Sequence, residues 1–390
     1  MTTDRSSVSQ VFGAFLRLGL TSFGGPVAHL GYFRNEFVLR RRWVNEEQFA
    51  ELITLAQFLP GPLSSQLGFA LGLLRAGWAG AIAAFVAFTL PSALLLGGFA
   101  YAGAALSGDR GEAAIHGLKL VAVCVIAQAV VGMAQRLTPD FRRIAIAVLG
   151  AIVVLLGHQP WLQLIAIGAG ALLGAMLCRD VPVPNAVPMR FSYGKTLAAV
   201  LLAAFAGLLV LSLSVTESGP AELQVGAGMY RAGALVFGGG HVVLPLLEQA
   251  VVKPGWLDAD DFLAGYGAAQ AIPGPMFSFS AYVGAKLGGV PLALLSVVAI
   301  FLPGFLVVGG ALPFFSQLTA HRSVRTMLAG VNAAVVGLLA AALYDPVWTS
   351  AIGSSIDIAI AAAGFALLMT GRVSTLWVVA GCVGAAVVVG

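Results

Sequence analysis

The sequence contains little charge. Asp, Glu, Lys and Arg make up 10% of its 390 residues, whereas soluble domains carry about 25%. Hydrophobic residues account for 59%, and apolar runs such as 197–214 and 291–315 are too long to stay exposed to water. The net charge of +4 is too small to indicate a nucleic-acid-binding surface. We therefore predict an integral membrane protein that binds no nucleic acid.

Motifs typical of enzymes are also missing. The three cysteines, Cys124, Cys178 and Cys382, lie scattered in apolar segments without metal-ligand spacing. No phosphate-binding loop, dinucleotide-binding fingerprint or nucleophile elbow occurs. We expect neither an enzyme nor an ATP-driven pump, and no metal or cofactor. Residues 1–10 lack the apolar run of a signal peptide, which favours direct insertion into a cytoplasmic-type membrane.

The chain does contain an internal duplication. The first half has Arg-Leu-Gly at 17–19, Phe-Gly-Gly-Pro at 23–26 and Gln-Phe-Leu-Pro-Gly-Pro at 57–62. The second half has Arg-Ala-Gly at 231–233, Phe-Gly-Gly-Gly at 237–240 and Gln-Ala-Ile-Pro-Gly-Pro at 270–275. Each motif lies 213 or 214 residues from its counterpart. Duplicated apolar halves interrupted by Gly and Pro at matching places are typical of secondary transporters.

Two kinds of apolar segment occur along the chain. Unbroken segments of about membrane-spanning length lie at 77–104, 113–135, 141–157, 160–178, 195–215, 290–313, 323–343, 351–370 and 373–389. Four other stretches, 10–33, 46–75, 222–250 and 258–288, are each broken near the centre by Gly-Gly or Pro-Gly-Pro. Their arms are too short to cross alone, which favours half-helices or re-entrant hairpins.

Loop charge predicts how the halves are oriented. The loop at 34–45 contains four arginines, which favours the cytoplasmic side. Its counterpart in the second half instead carries four acidic residues, Glu248, Asp258, Asp260 and Asp261. Equivalent loops are therefore expected on opposite sides of the membrane, with the N-terminus inside and the C-terminus outside. The extra span at 195–215 provides the odd crossing that inverts the second copy.

We thus predict an all-α polytopic membrane protein of two inverted-topology repeats with broken or re-entrant helices. The count is about nine full spans and four re-entrant hairpins. The first repeat covers 1–178, a linker with a connecting transmembrane helix covers 179–221, and the second repeat covers 222–390. In the alternative, 10–33 and 222–250 are plain full spans.

The breaks are the predicted binding site. A non-helical backbone within a membrane is tolerated only against protein or a water-filled cavity, and a fresh helix N-terminus offers free N–H groups to an anion. The alternative is that Gly and Pro only kink packed helices. The glycines expected to contact a substrate are Gly24, Gly25, Gly61, Gly238, Gly239 and Gly274.

Polar side chains crowd the same breaks. Arg17 and Arg231 each precede a Phe-Gly-Gly by six residues, and a cation at depth usually faces a cavity, a partner or a substrate. Snorkelling to the interface is the alternative for both arginines, and interhelical hydrogen bonding is the alternative for the neutral groups. The neutral candidates for substrate contact are Ser22, Gln57, Ser64, Ser65, Gln270 and Ser278. His29, Glu36 and His241 are the candidate proton carriers.

These residues resemble the chromate ion transporter family in its long two-domain form. The resemblance rests on 23–26 with His29, the Arg-rich stretch to Trp43, 57–62, 237–241, Trp256 and 270–275. It implies export of chromate from the bacterial cytoplasm across the inner membrane, driven by the proton-motive force, with sulfate as a competing oxyanion. A homodimer is left open. The residues alone indicate a small anion in a lipid bilayer protein, so uptake of sulfate or another oxyanion and a lipid scramblase or flippase stay as alternatives.

Overall fold

The computed structural model describes residues 7–102, 108–157, 161–179, 193–216, 219–237, 240–314 and 321–389. Every regular element in these ranges is helical, which confirms the predicted all-α class. The first half contains α1 Val8–Thr21, α2 Gly25–Phe33, α3 Glu46–Phe58, α4 Leu63–Ala102, α5 Asp109–Leu137, α6 Phe141–Leu156 and α7 Trp161–Leu177. The linker helix is α8 Lys195–Leu213. The second half contains α9 Ala221–Ala234, α10 Val243–Val251, α11 Ala259–Ala271, α12 Phe279–Ala311, α13 Arg322–Ala342, α14 Ser355–Met369 and α15 Thr375–Val389.

In the structure, the helix is interrupted in each of the four stretches that the sequence predicts to be broken. Helix α1 ends before Ser22 and α2 begins at Gly25, while α3 ends at Phe58 and α4 begins after Pro62. In the second half, α9 ends at Ala234 before a 3₁₀ turn at Gly240–Val242, and α11 ends before the 272–275 segment. Helices α3 and α11 have 13 residues each, or about 20 Å. That length is too short for a hydrocarbon core of about 30 Å.

The longest helices, α4 and α12, each contain a tight turn at matching positions. Gly77 has φ 64° and ψ −156°, and Gly289, 212 residues later, has φ 70° and ψ −157°. A Cβ on Gly72 would lie 2.4 Å from the Gly80 carbonyl oxygen, so the arms before and after the first turn pack directly against each other. The duplication therefore extends from the sequence to individual backbone angles.

Helix starts repeat as well. Asn45 caps α3 by accepting a hydrogen bond from the Gln48 amide at 2.8 Å. Its counterpart Asp258 caps α11 through the Asp260 amide, also at 2.8 Å. Such caps satisfy backbone donors that a helix cannot pair internally. The second arm of each half is therefore started by equivalent local chemistry.

Helices of each half pack against helices of the other half. Helix α5 of the first half packs against α14 and α15 of the second, and α13 of the second half packs against α6 and α7 of the first. Close backbone contact requires glycine: a Cβ on Gly330 would lie 2.0 Å from the Gly170 carbonyl oxygen, and one on Gly117 would lie 2.6 Å from the Val383 Cα. Small residues allow such close approach between membrane helices. Neither half of the sequence forms a separate packing unit.

Within the part of the chain that the structure describes, five helical segments are long and apolar enough to cross a membrane. They are 63–102, 109–137, 195–213, 276–314 and 322–351, and they correspond to the predicted spans 77–104, 113–135, 195–215, 290–313 and 323–343. The other four predicted spans also form helices, α6, α7, α14 and α15, but these have only 15 to 17 residues. The multi-pass class is confirmed. The number of full crossings and the inversion of the halves stay predictions.

The arginine-rich segment predicted as a loop begins as a π-helix, Arg34–Arg40, and is held by ion pairs. Arg34 binds Glu46 through two hydrogen bonds. Glu36 is 7% exposed and accepts from Arg41 at 2.6 Å and from Arg40 at 3.0 Å. Burial raises the pKa of the Glu36 carboxyl, but the hydrogen bonds from the two arginines lower it by more, so its pKa lies below the usual value. A carboxylate held in its ionised form is poorly suited to carry protons, and this geometry argues against the predicted role of Glu36.

Replacing Glu36 by Gln tests its structural role. Because the folded-state pKa lies below the ordinary value of 4.5, the ion pairs stabilise the protein fully at neutral pH. Their contribution is lost as the pH falls below 4.5. We expect thermal unfolding midpoints of wild type and E36Q to differ at pH 7 and to converge in acid. An equal difference at both pH values would contradict this assignment.

Replacing Gly61 by Ala tests the break in the first half. Gly61 has φ 131°, and a Cβ there would lie 2.6 Å from Gln66 Nε2 and 2.9 Å from the Gly304 Cα. We expect G61A to lose about 2 kcal/mol or more of stability, because backbone strain alone costs about 1–2 kcal/mol. The matched control is G97A, since a Cβ on Gly97 meets no atom within 4 Å. Equal thermal unfolding midpoints for the two variants in detergent would refute the prediction.

Candidate functional site

Two hydrogen bonds join the breaks of one half to the breaks of the other. The Gly274 N–H donates to the Ser22 carbonyl at 3.0 Å, and the Gly61 N–H donates to the Val236 carbonyl at 2.8 Å. Gly61 and Gly274 are equivalent positions, as are Ser22 and Val236. We call these contacts the Ser22–Gly274 crossing and the Gly61–Val236 crossing. Each pairs the first break of one half with the second break of the other.

The Pro-Gly-Pro motif explains the form of these crossings. Proline has no N–H, so within Pro60-Gly61-Pro62 only the glycine can donate. Glycine is also required sterically, because a Cβ on Gly274 would lie 2.7 Å from the Ser92 Oγ at a φ of 110°. The amides of Gly61 and Gly274 are therefore engaged by carbonyls. Substrate contact by Gly61 and Gly274 stays a prediction, and in this structure their amides are not free for it.

The Ser22–Gly274 crossing is surrounded by buried polar side chains. The Ser92 Oγ lies 2.7 Å from the Ser278 Oγ and 2.9 Å from the Thr89 carbonyl oxygen. His29 is buried, and its Nε2 lies 3.2 Å from the Ser22 carbonyl oxygen. The crossing thus combines residues predicted from both halves.

Several buried groups on the segments that form this crossing have no hydrogen-bond partner among the described residues. They are the hydroxyls of Ser22 and Thr89 and the side-chain amide nitrogen of Gln270, which lies in the last turn of α11. An unpaired buried polar group costs about 1–3 kcal/mol, and such groups call for an explanation such as a bound ion. All three can donate a hydrogen bond. The crossing is therefore rich in donors that a ligand with acceptor atoms would satisfy.

The Gly61–Val236 crossing has the same geometry but different chemistry. Gln66 and Gly304 occupy the positions equivalent to Ser278 and Ser92, 212 residues apart in each case. The Gln66 Nε2 donates to the carbonyls of Pro60 at 2.7 Å and Gly304 at 3.2 Å. Ser64 and Ser65 are buried beside it, and only the Ser65 hydroxyl is among the unpartnered groups. This crossing uses most of its donors internally.

Other predicted contacts take no part in the hydrogen bonds of the crossings. Arg17 and Gln57 are exposed. The Arg231 Nη1 donates to the Ser212 carbonyl at 2.5 Å and so ties α9 to the end of α8, which favours a structural role. Gly24 and Gly25 form the first break with φ values of 93° and 75°. Gly238 and Gly239 lie outside the described residues, and substrate contact by all of these residues stays a prediction.

The two predicted histidines differ in their surroundings. His29 packs edge-on against Phe88 with ring centroids 5.4 Å apart, and its Nδ1 is unpartnered among the described residues. The His241 Nδ1 lies 2.8 Å from the Tyr266 hydroxyl of α11. His29 is thus hydrogen-bonded to the break that precedes its own helix, and His241 to the α11 arm. Their role as proton carriers stays a prediction.

Sequence reasoning missed Thr89 and Ser92. Both lie inside a long apolar segment that reads as a plain span. The available signal was Pro91 between them, which repeats as Pro303 next to Gly304. Only packing shows that this turn of α4 contacts Gly274.

Comparison with known proteins places these features in a family. The profile described as "Chromate transporter" matches the chain twice, over residues 9–175 and 223–388. A chromate transport protein of Pseudomonas aeruginosa is 30% identical over 375 residues, covering 93% of this chain and 87% of the relative. A probable chromate transport protein of Synechococcus elongatus is 29% identical over 340 residues, covering 86% and 84%.

A third relative, a chromate transport protein of Cupriavidus metallidurans, is 28% identical and covers 88% of this chain and 83% of its own length. No solved structure gives a significant match. The profile matches each half once. The two matched ranges together include the motifs that form both crossings. The chain therefore belongs to the chromate transporter family.

Proposed function

We propose that this protein is a secondary transporter that exports chromate from the cytoplasm across the bacterial inner membrane, coupled to the proton-motive force. The proposal draws on membership of the chromate transporter family and on relatives named as chromate transport proteins. The two repeats, 1–178 and 222–390, form the transport unit, and the linker 179–221 connects them. Sulfate is the proposed competitor, because both anions are tetrahedral and carry only acceptor oxygens.

The Ser22–Gly274 crossing is the proposed oxyanion site. The observation that carries this proposal is a set of buried donors that have no partner among the described residues: Ser22, Thr89 and Gln270. Oxyanion oxygens accept hydrogen bonds and donate none, so the donors of these groups match such a ligand. Hydrogen bonds to a charged ligand are worth about 1.5–3 kcal/mol each. A few fixed neutral donors can thus hold an anion that must later be released.

The function is tested by flux in proteoliposomes with labelled chromate. We expect wild-type protein to exchange chromate across the membrane without a gradient and to accumulate it when a pH gradient is imposed. Excess sulfate should slow both processes. Absence of chromate exchange by folded protein would overturn the proposal. Exchange of fluorescent lipid between leaflets instead would favour the lipid-handling alternative.

Replacing Ser22 by Ala tests the binding site. Because its hydroxyl has no protein partner among the described residues, removal should leave the unfolding temperature unchanged or slightly higher. Loss of one hydrogen bond to the anion should weaken chromate binding by about tenfold to a hundredfold. Gln270→Leu should behave in the same way. Binding is measured from the rise in the unfolding temperature of each variant as the chromate concentration is increased.

The matched control is Ser92→Ala, since the Ser92 hydroxyl is bonded within the protein. S92A should lower the unfolding temperature. A lower unfolding temperature for S22A together with wild-type chromate affinity would show that Ser22 is structural, and would remove it from the site.

A further inference from the structure

A small polar cavity lies beside α10, where the two halves meet. Its volume is about 30 Å³, which holds about two water molecules. The walls come from α6 and α7 of the first half and from α10 and α13 of the second. The polar residues that line it are Gln163, Glu248, Gln249, Lys253 and Asp345.

Glu248 is the buried ionisable member of this group. Glu248 is 3% exposed, and its Oε1 accepts no hydrogen bond from the described residues. The Lys253 Nζ lies 3.4 Å from that oxygen and 3.9 Å from the Asp345 Oδ2. One ammonium group is therefore shared by two carboxylates. The ionised cluster would carry a net negative charge, which is costly at a buried position.

The acceptors outnumber the donors at this cavity. Besides Glu248, the Gln249 Oε1 is a second buried acceptor without a partner among the described residues. The Gln163 Nε2 donates to the Pro245 carbonyl at 3.1 Å, and the one ammonium group, on Lys253, is shared with Asp345. These surroundings favour uptake of a proton by the Glu248 carboxylate. Glu36 is the opposite case, since two arginines hydrogen-bond its carboxylate.

We propose that the Glu248 carboxylate binds the proton that couples transport to the proton-motive force. The inference rests on the proposed function. A proton from solvent adds to the carboxylate oxygen and gives a neutral acid, and the same proton returns to solvent on the other side after the conformational change. Protonation removes the attraction for Lys253, which then pairs with Asp345 alone.

Contacts connect this group to the crossing. Helix α10 follows the 3₁₀ turn Gly240–Val242, which packs against the turn Met276–Ser278. The second turn contains Ser278, the partner of Ser92. The cavity walls belong to both halves, so a change of charge at Glu248 acts on the contact between them. Coupling therefore requires no direct contact between proton and anion.

The test compares two fluxes in proteoliposomes carrying Glu248→Gln. Chromate exchange without a gradient should stay near the wild-type rate, whereas accumulation driven by a pH gradient should fall to background. The matched control is Glu36→Gln, which should keep the wild-type ratio of driven flux to exchange. Accumulation by E248Q at the wild-type level, or loss of its exchange in folded protein, would overturn the inference. Wild-type protein without exchange would instead overturn the proposed function, and the inference with it.

A second variant covers the case in which E248Q does not fold. In Lys253→Gln the nearby ammonium group is gone, so Glu248 should hold its proton to higher pH. The pH profile of driven transport should therefore shift upward, and an unchanged profile would refute the proposal. Replacement of sodium by choline should have no effect. A requirement for sodium would show that the cavity binds that cation rather than a proton.

Discussion

Backbone hydrogen-bonding groups that lose their helical partners inside a membrane are the constraint on which this fold depends. Each break would leave such groups unpaired at a cost of several kcal/mol. The protein pairs them across the duplication: the Gly61 N–H binds the Val236 carbonyl, and the Gly274 N–H binds the Ser22 carbonyl. Because the flanking prolines cannot donate, each motif presents one donor to one acceptor. Neither half can complete its own breaks.

Helix packing, like the backbone hydrogen bonds, joins one half to the other. The α14–α15 pair of the second half packs on α5, and the α6–α7 pair of the first half packs on α13. Glycine at the contacts lets the backbones approach closely enough for dispersion forces to hold helices together without a hydrophobic driving force in lipid. A rigid-body motion of α5 or α13 would therefore move helices of both repeats.

Duplication has preserved backbone geometry more strictly than side-chain chemistry. The Ser92–Ser278 contact and the Gly304–Gln66 contact occupy equivalent positions, yet the first is a pair of hydroxyls and the second a glutamine bound to carbonyls. The Gln66 amide nitrogen is occupied by the protein itself. The Ser22–Gly274 crossing instead keeps donors that have no partner among the described residues. The two crossings thus share a backbone arrangement but differ in how many of their side-chain donors are paired within the protein.

The sequence alone determined the membrane class, the duplication, the position of all four breaks and the helical arms. These follow from local rules, since charge scarcity, Gly and Pro placement and apolar length act on neighbouring residues. It also singled out Ser22, Gln270 and Ser278 as candidates, because polar groups next to breaks are conspicuous in an apolar chain, and their contact with a substrate stays a proposal.

Only the tertiary structure decided which break meets which, that Arg231 binds α8, and that Thr89, Ser92 and Glu248 belong to polar sites. Those facts depend on contacts between residues far apart in sequence, such as Ser92 with Ser278, which no local pattern encodes. The structure also showed that the Gly61 and Gly274 amides donate to backbone carbonyls. Free helix termini are a local property, but what pairs with them is determined by packing.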